Sequence, residues 1–188
     1  IMVDLSGSMS GTRIQEAIKT VYITYTFCRK LNIPVFVVGH STNDAKVALF
    51  SVVDEKSLDD KDKYRIFGMK TYDCNRDGYA LRYCLKKLEN IQAQDKLMLV
   101  ISDGRPNHYG YGEMEGKRDC QDAVAEAIKK GIFTITAGIG DAESVKGIYK
   151  TDTNGKNLSD RSSATYMDLS DLKKLPKSFV KIIKERLS

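Results

Sequence analysis

The stretch KLMLVISDG, residues 96–104, decides how this chain folds. Residues 97–101 are apolar without interruption, and Asp-Gly follows at once after Ser102. A run this short and apolar, closed by a turn signal, reads as a strand covered on both faces. Such strands belong to parallel sheets with helices packed above and below. Asp103 then stands just past the carboxyl end of a central strand.

The flanking segments supply the other layers. Residues 77–90 place Ala80, Leu81, Cys84, Leu85 and Leu88 on one helical side, and residues 116–130 form a helix ended by Gly131. Residues 132–137 are the next strand and 141–149 a short helix. Residues 150–163 read as a polar loop and 164–168 as a last strand. A final helix is capped by Ser170 or Asp171, with Leu172, Leu175, Phe179, Ile182 and Ile183 on its stripe. Upstream, residues 1–4 are strand-like. Residues 12–30 carry Ile14, Ala17, Ile18, Val21, Tyr25 and Cys28 at a helical period. Residues 35–39 form a β-branched strand and 46–53 another extended segment. The loop between those two is too short for a helical crossover, so they are expected to pair antiparallel. Residues 54–67 read as either a short helix or a loop. Strands alternating with helices predict an α/β chain with a mostly parallel sheet. No linker or repeat divides it, so one domain is expected over residues 1–188. Because position 1 lies inside a strand and is not Met, that domain is read as a piece of a longer protein.

The formal charge of +5 comes from residues 146–188, which hold ten Lys/Arg against five Asp/Glu; this reads as a solvated helix face. Dense cations interleaved with aromatics are absent from the sequence, so no nucleic-acid partner is expected. No apolar run approaches the ~18 residues of a membrane span, so no membrane partner is expected either. Cys28, Cys74, Cys84 and Cys120 make no CxxC pair. They read as reduced thiols in a cytoplasmic protein.

Three loops should meet beyond the carboxyl ends of the strands, where open α/β sheets bind ligands. The first, DLSGS, follows the strand at 1–4 and offers Asp4, Ser6 and Ser8. The second, YDCNRDGYAL, offers Asp73, Asn75 and Asp77. The third, SDGRPN, offers Asp103. All of these donors are oxygens, which suit hard divalent cations: Mg²⁺, or Mn²⁺ or Ca²⁺. A cation also explains why an apolar strand ends in Asp4, since a buried carboxylate needs a charge partner.

The pattern DLSGS at a strand end, with strand-SDG later, resembles the von Willebrand factor A-type domain and its metal-ion-dependent adhesion site. The order of strands and helices agrees over nearly the whole chain. The resemblance implies a Rossmann-like, doubly wound sheet with one antiparallel edge strand. It also implies a non-enzymatic module whose bound cation takes an acidic side chain from another protein or domain. Where the family places a Thr in its middle loop, this chain has Asn75. Either the Asn75 amide oxygen ligates, or Asp77 replaces the Thr; the alternative for both is capping of the helix at 77–90. The segments CNRDGYALRY and ISDGRPN resemble the cobaltochelatase T-subunit and nitric-oxide-reductase activation proteins of bacteria. That branch implies an AAA+ ATPase as partner, in metal insertion or enzyme activation.

A second reading is a Mg²⁺-dependent phosphoryl-transfer enzyme with Asp4 as nucleophile, since haloacid-dehalogenase-type phosphatases also begin with an apolar strand ending in Asp. Those carry a general acid two residues on, where this chain has Ser6, which does not shuttle protons near neutral pH. His40 and His108 have no partners at ligand spacing and are read as structural or surface residues. No phosphate-binding glycine fingerprint is present in the sequence.

Overall fold

KLMLVIS lies at the middle of a six-stranded sheet. The computed structural model describes residues 1–44, 46–140, 142–149 and 164–169, together with 177, 180 and 181. The strands are β1 (Met2–Asp4), β2 (Val37–Asn43), β3 (Lys46–Val53), β4 (Lys96–Ser102), β5 (Ile132–Gly138) and β6 (Thr165–Asp168), in the order β3-β2-β1-β4-β5-β6. Every neighbouring pair is parallel except β2 and β3, which pair antiparallel at one edge. The described helices are α1 (Thr12–Lys30), α2 (Asp62–Phe67), α3 (Asp77–Glu89), α4 (Glu113–Lys129) and α5 (Ala142–Tyr149), with one 3-10 turn at Gly7–Met9. This is the Rossmann-like, doubly wound architecture with one antiparallel edge strand. The chain runs outward from β1 through β2 to β3, then returns to the other side of β1 at β4. The crevice of such a sheet opens at that reversal, above the tips of β1 and β4.

Strand alternation sorts the side chains onto two faces. Val3, Leu5, Leu99, Ile101 and Ile135 pack with Ile14, Ile18 and Val21 of α1. Met2, Val38, Met98 and Val100 pack with Leu81 and Leu85 of α3, Val124 of α4, and Val145 and Tyr149 of α5. Two-residue periodicity therefore carries Asp4, His40 and Ser102 onto the α3–α5 face. Asp103, one step past Ser102, turns back toward α1.

Several bounds differ from expectation for identifiable reasons. The second strand begins at Val37 rather than 35 and continues to Asn43, because β3 pairs with its far half from His40↔Leu49 to Asn43↔Lys46. The segment at 54–67 yields only the short α2. Helix α4 starts at Glu113, three residues early, which leaves Gly116 inside the helix. A Cβ there would meet Pro106 and the Tyr111 ring at 2.9–3.1 Å, so the glycine serves close packing rather than a turn. The loop expected at 150–163 and most of the expected final helix lie outside the described residues.

Candidate metal centre

The three loops converge on Asp4. Its carboxylate is fully buried and accepts hydrogen bonds from the Ser6 amide (2.8 Å), the Asn75 side-chain amide (3.1 Å) and the Ser102 hydroxyl (3.2 Å). Parallel pairing sets Asp4 beside His40, and the Leu5 amide donates to the His40 carbonyl. The middle loop is clamped to the first: the Gly7 amide donates to the Asp73 carbonyl, and the Tyr72 amide to that of Leu5. Asp4, Ser6 and Ser8 then form a row running outward, with Asp4 and Ser6 buried and Ser8 exposed. The two serine hydroxyls are 3.0 Å apart.

Asp103 joins from the third loop. One guanidinium nitrogen of Arg13 donates both to the Ser8 carbonyl (2.7 Å) and to Asp103 Oδ2 (3.2 Å), tying the first loop to the third. Sequence reading missed Arg13. Nothing in its position on the first turn of α1 signals that it reaches a carboxylate ninety residues away.

The middle loop behaves differently from expectation in one respect. Asn75 turns its amide nitrogen, not its oxygen, toward the carboxylates, donating to Asp4 and to Asp77 Oδ1 (3.0 Å). Its Oδ1 accepts the Asn107 amide at 2.8 Å. The amide oxygen offered to a cation on sequence grounds is thus committed to the backbone of the third loop. Asp77 is no helix cap either. It points inward, fully buried, and accepts the Tyr149 hydroxyl of α5 at 2.6 Å. Asp73 contributes its carbonyl to the clamp.

Sequence spacing reads His40 as a structural or surface residue; the register buries it in this cluster. Its Nε2 lies 3.5 Å from Asp77 Oδ1, outside hydrogen-bonding geometry. Potential ligand atoms of Asp4, His40 and Asp77 lie within 4.8 Å of one another. The missing signal was pairing register, which sequence spacing does not carry.

Burial and the nearby Asp77 charge push the Asp4 carboxyl up to about 7; burial and the Asp103 charge push Asp77 up to about 6, against the opposing pull of the Tyr149 hydrogen bond. Burial moves His40 the other way, below its ordinary value. Between roughly pH 4 and pH 7 the folded chain therefore holds carboxyl protons that the unfolded chain has lost, and stability falls as pH rises. His40 opposes this below about pH 6.5, as one group against two. In chelator the chain should melt several degrees higher at about pH 5.5 than at about pH 8, and saturating Mg²⁺ or Mn²⁺ should narrow the gap by replacing the proton. Thermal melts at both pH values check this; a higher melting point at pH 8 in chelator contradicts it.

The sequence matches the von Willebrand factor type A domain over residues 1–178. The chain belongs to that family. This VWA domain is 31% identical over 159 residues to the uncharacterized protein YojO of Bacillus subtilis, covering 80% of the chain and 25% of that protein. It is 35% identical over 80 residues to protein NorD of Stutzerimonas stutzeri, covering 41% of the chain and 13% of NorD. The chain thus spans a quarter or less of these relatives. Among solved structures, manganese-loaded TRAP protein of Plasmodium vivax shares the fold of this VWA domain at a TM-score of 0.64 and 15% identity, covering 95% of the chain and 71% of that structure. VWA domains are typically non-enzymatic interaction modules. None of the described helices of this one is long and apolar enough to cross a membrane.

Proposed function

We propose that this VWA domain holds a divalent cation at Asp4, Ser6, Ser8 and Asp103 and presents the cation's open position to a carboxylate of a partner protein. The observation that carries the reading is the row of Asp4, Ser6 and Ser8 leading from a buried carboxylate to an exposed hydroxyl. Such a row brings an ion to the surface while anchoring it in the core. Asp77, without a cationic side chain hydrogen-bonded to it among the described residues, supplies further negative potential beneath the ion. Octahedral coordination by few protein oxygens leaves positions for water, which a partner's carboxylate displaces. Mn²⁺ or Mg²⁺ fits this donor set, and the manganese in TRAP shows that a protein of this fold takes such an ion.

Beside the loops lies an open groove of about 650 Å³, lined in part by Thr42, Asp44, Asp73, Cys74, Arg76 and His108. Arg76 is anchored there by His108 Nδ1 and the Tyr109 carbonyl, giving an acidic partner a second fixed contact. We take the partner to be an AAA+ ATPase of a metal-insertion or enzyme-activation system. The resemblance of CNRDGYALRY and ISDGRPN to such systems and the partial match to NorD support this. The four free thiols support a reducing, cytoplasmic setting. Asp4 is a poor candidate nucleophile, because its carboxylate is 0% exposed and three donors already hold it.

Partner capture separates a cation bridge from simple charge attraction. In a pull-down the partner should be retained with Mg²⁺ and largely retained in raised salt, but released by chelator, and Ser8→Ala should weaken retention without unfolding the domain. Binding through the lysine-rich C-terminal tail would instead fall with salt and ignore chelator. Partners that persist in chelator and vanish in salt overturn the proposal.

A further inference from the structure

We infer that Asp4, His40 and Asp77 form a second, inner metal site that takes a first-row transition-metal ion through the His40 imidazole. It rests on the proposed function only in sharing Asp4. The outer donors are all oxygens; this set adds a nitrogen and lies on the α3–α5 side of the sheet.

Three observations carry it. His40 is 0% exposed, and neither of its ring nitrogens has a hydrogen-bond partner among the described residues. Leaving buried polar atoms unpaired is costly, and coordination supplies the missing partner. The imidazole is aimed into the cluster, with Nε2 3.5 Å from Asp77 Oδ1. Candidate ligand atoms of all three residues lie within 4.8 Å of one another. Tetrahedral metal–ligand bonds of about 2.1 Å set ligand atoms about 3.4 Å apart, so a pair at the outer limit would close by about 1.4 Å, shared between two side chains.

Charge and chemistry agree. Two buried carboxylates repel each other, and a divalent ion neutralises both in a dry interior. Imidazole suits Fe²⁺, Co²⁺, Ni²⁺ or Zn²⁺, whereas Mg²⁺, Ca²⁺ and Mn²⁺ favour oxygen ligands. The supports are already built: Tyr149 donates to Asp77 Oδ2, and Ser102 and Asn75 to Asp4 Oδ2. Hydrogen bonds of this kind orient carboxylate ligands. Full burial also implies slow exchange, so loading and stripping an inner ion should take longer incubation than the outer one needs.

The test titrates the chelator-stripped 188-residue chain with Co²⁺ and, separately, with Mg²⁺. Wild type should bind Co²⁺ at least about tenfold tighter than Mg²⁺ and develop visible d–d absorption from nitrogen coordination. His40→Ala and His40→Gln should each lose that absorption and about tenfold or more in Co²⁺ affinity, with Mg²⁺ binding held. Should both variants fold poorly, the wild-type chain still decides it. It has two histidines, so Zn²⁺ must shift the ¹⁵N resonance of the His40 imidazole and not that of His108. Unchanged Co²⁺ spectra in the His40 variants, or a His40 resonance indifferent to Zn²⁺, overturn the inner site. The two readings fail separately. Mg²⁺ binding weakened in Ser8→Ala but insensitive to His40 leaves the outer site alone standing; Co²⁺ binding that needs His40 without any Mg²⁺ binding leaves only the inner one.

Discussion

Asp4→Ala should abolish divalent-cation binding while leaving the domain folded. Asp4 is the carboxylate on which the first loop closes: it holds the Ser6 amide, and through Ser6 the hydroxyl pair with Ser8. Removing it takes a full charge and the organiser of the serines at once. Affinity for Mg²⁺ or Mn²⁺ should fall by about 100-fold or more, near 3 kcal/mol. Two opposing terms of a few kcal/mol each act on the fold. The substitution strips an acceptor from buried donors, which is unfavourable. It also removes a carboxyl that burial and Asp77 push up to about 7, which is favourable above that pH. In chelator at about pH 8 the variant should therefore melt cooperatively within several degrees of wild type. Titration calorimetry and thermal melts measure both. Undiminished binding removes Asp4 from the site, and a variant unfolded at room temperature means that the site is part of the core.

Gly104→Ala should be the most damaging single-methyl change on this edge of the sheet. Gly104 follows Asp103 with φ +70°, a left-handed conformation that costs an alanine about 1 kcal/mol. Its added Cβ would also stand 2.6 Å from the Val145 amide nitrogen and 2.7 Å from Val145 Cα, both backbone atoms of α5. Backbone cannot swing aside as a flexible side chain can, so α5 must shift bodily. Strain and lost packing together should destabilise the chain by about 3 kcal/mol. The site should suffer too, because α5 carries Tyr149, whose hydroxyl holds Asp77. Denaturant unfolding with and without Mn²⁺ separates the two effects. A variant within about 0.5 kcal/mol of wild type would mean that the tip of β4 and α5 are not in the close contact described.

How much of this was legible beforehand follows from which interactions are local. The strand KLMLVIS, the helix at 12–30 and the antiparallel hairpin depend on periodicity and loop length, which are written in consecutive residues. The fold could be read from them. Asp4, Ser6, Ser8 and Asp103 were legible because each sits at or just past a strand tip, and the sheet brings such tips to one edge. The orientation of Asn75 was not legible. Its oxygen is claimed by the Asn107 amide, a contact between two loops whose approach depends on the whole sheet. Nor was the role of Asp77, since Tyr149 reaches it from seventy-two residues away.

His40 marks the boundary most sharply. By itself, the sequence established a β-branched strand running toward that histidine and a carboxylate ending another strand. Only parallel pairing in the register Asp4↔His40, on the face that both share with Val38 and Met2, sets them side by side. Register depends on how the flanking helices and strands pack, a non-local property. Sequence thus determined the family, the sheet and the placing of Asp4, Ser6 and Ser8 together at one strand tip. Tertiary structure decided which donors face inward, which hydrogen bonds consume them, and that a buried imidazole stands among the carboxylates.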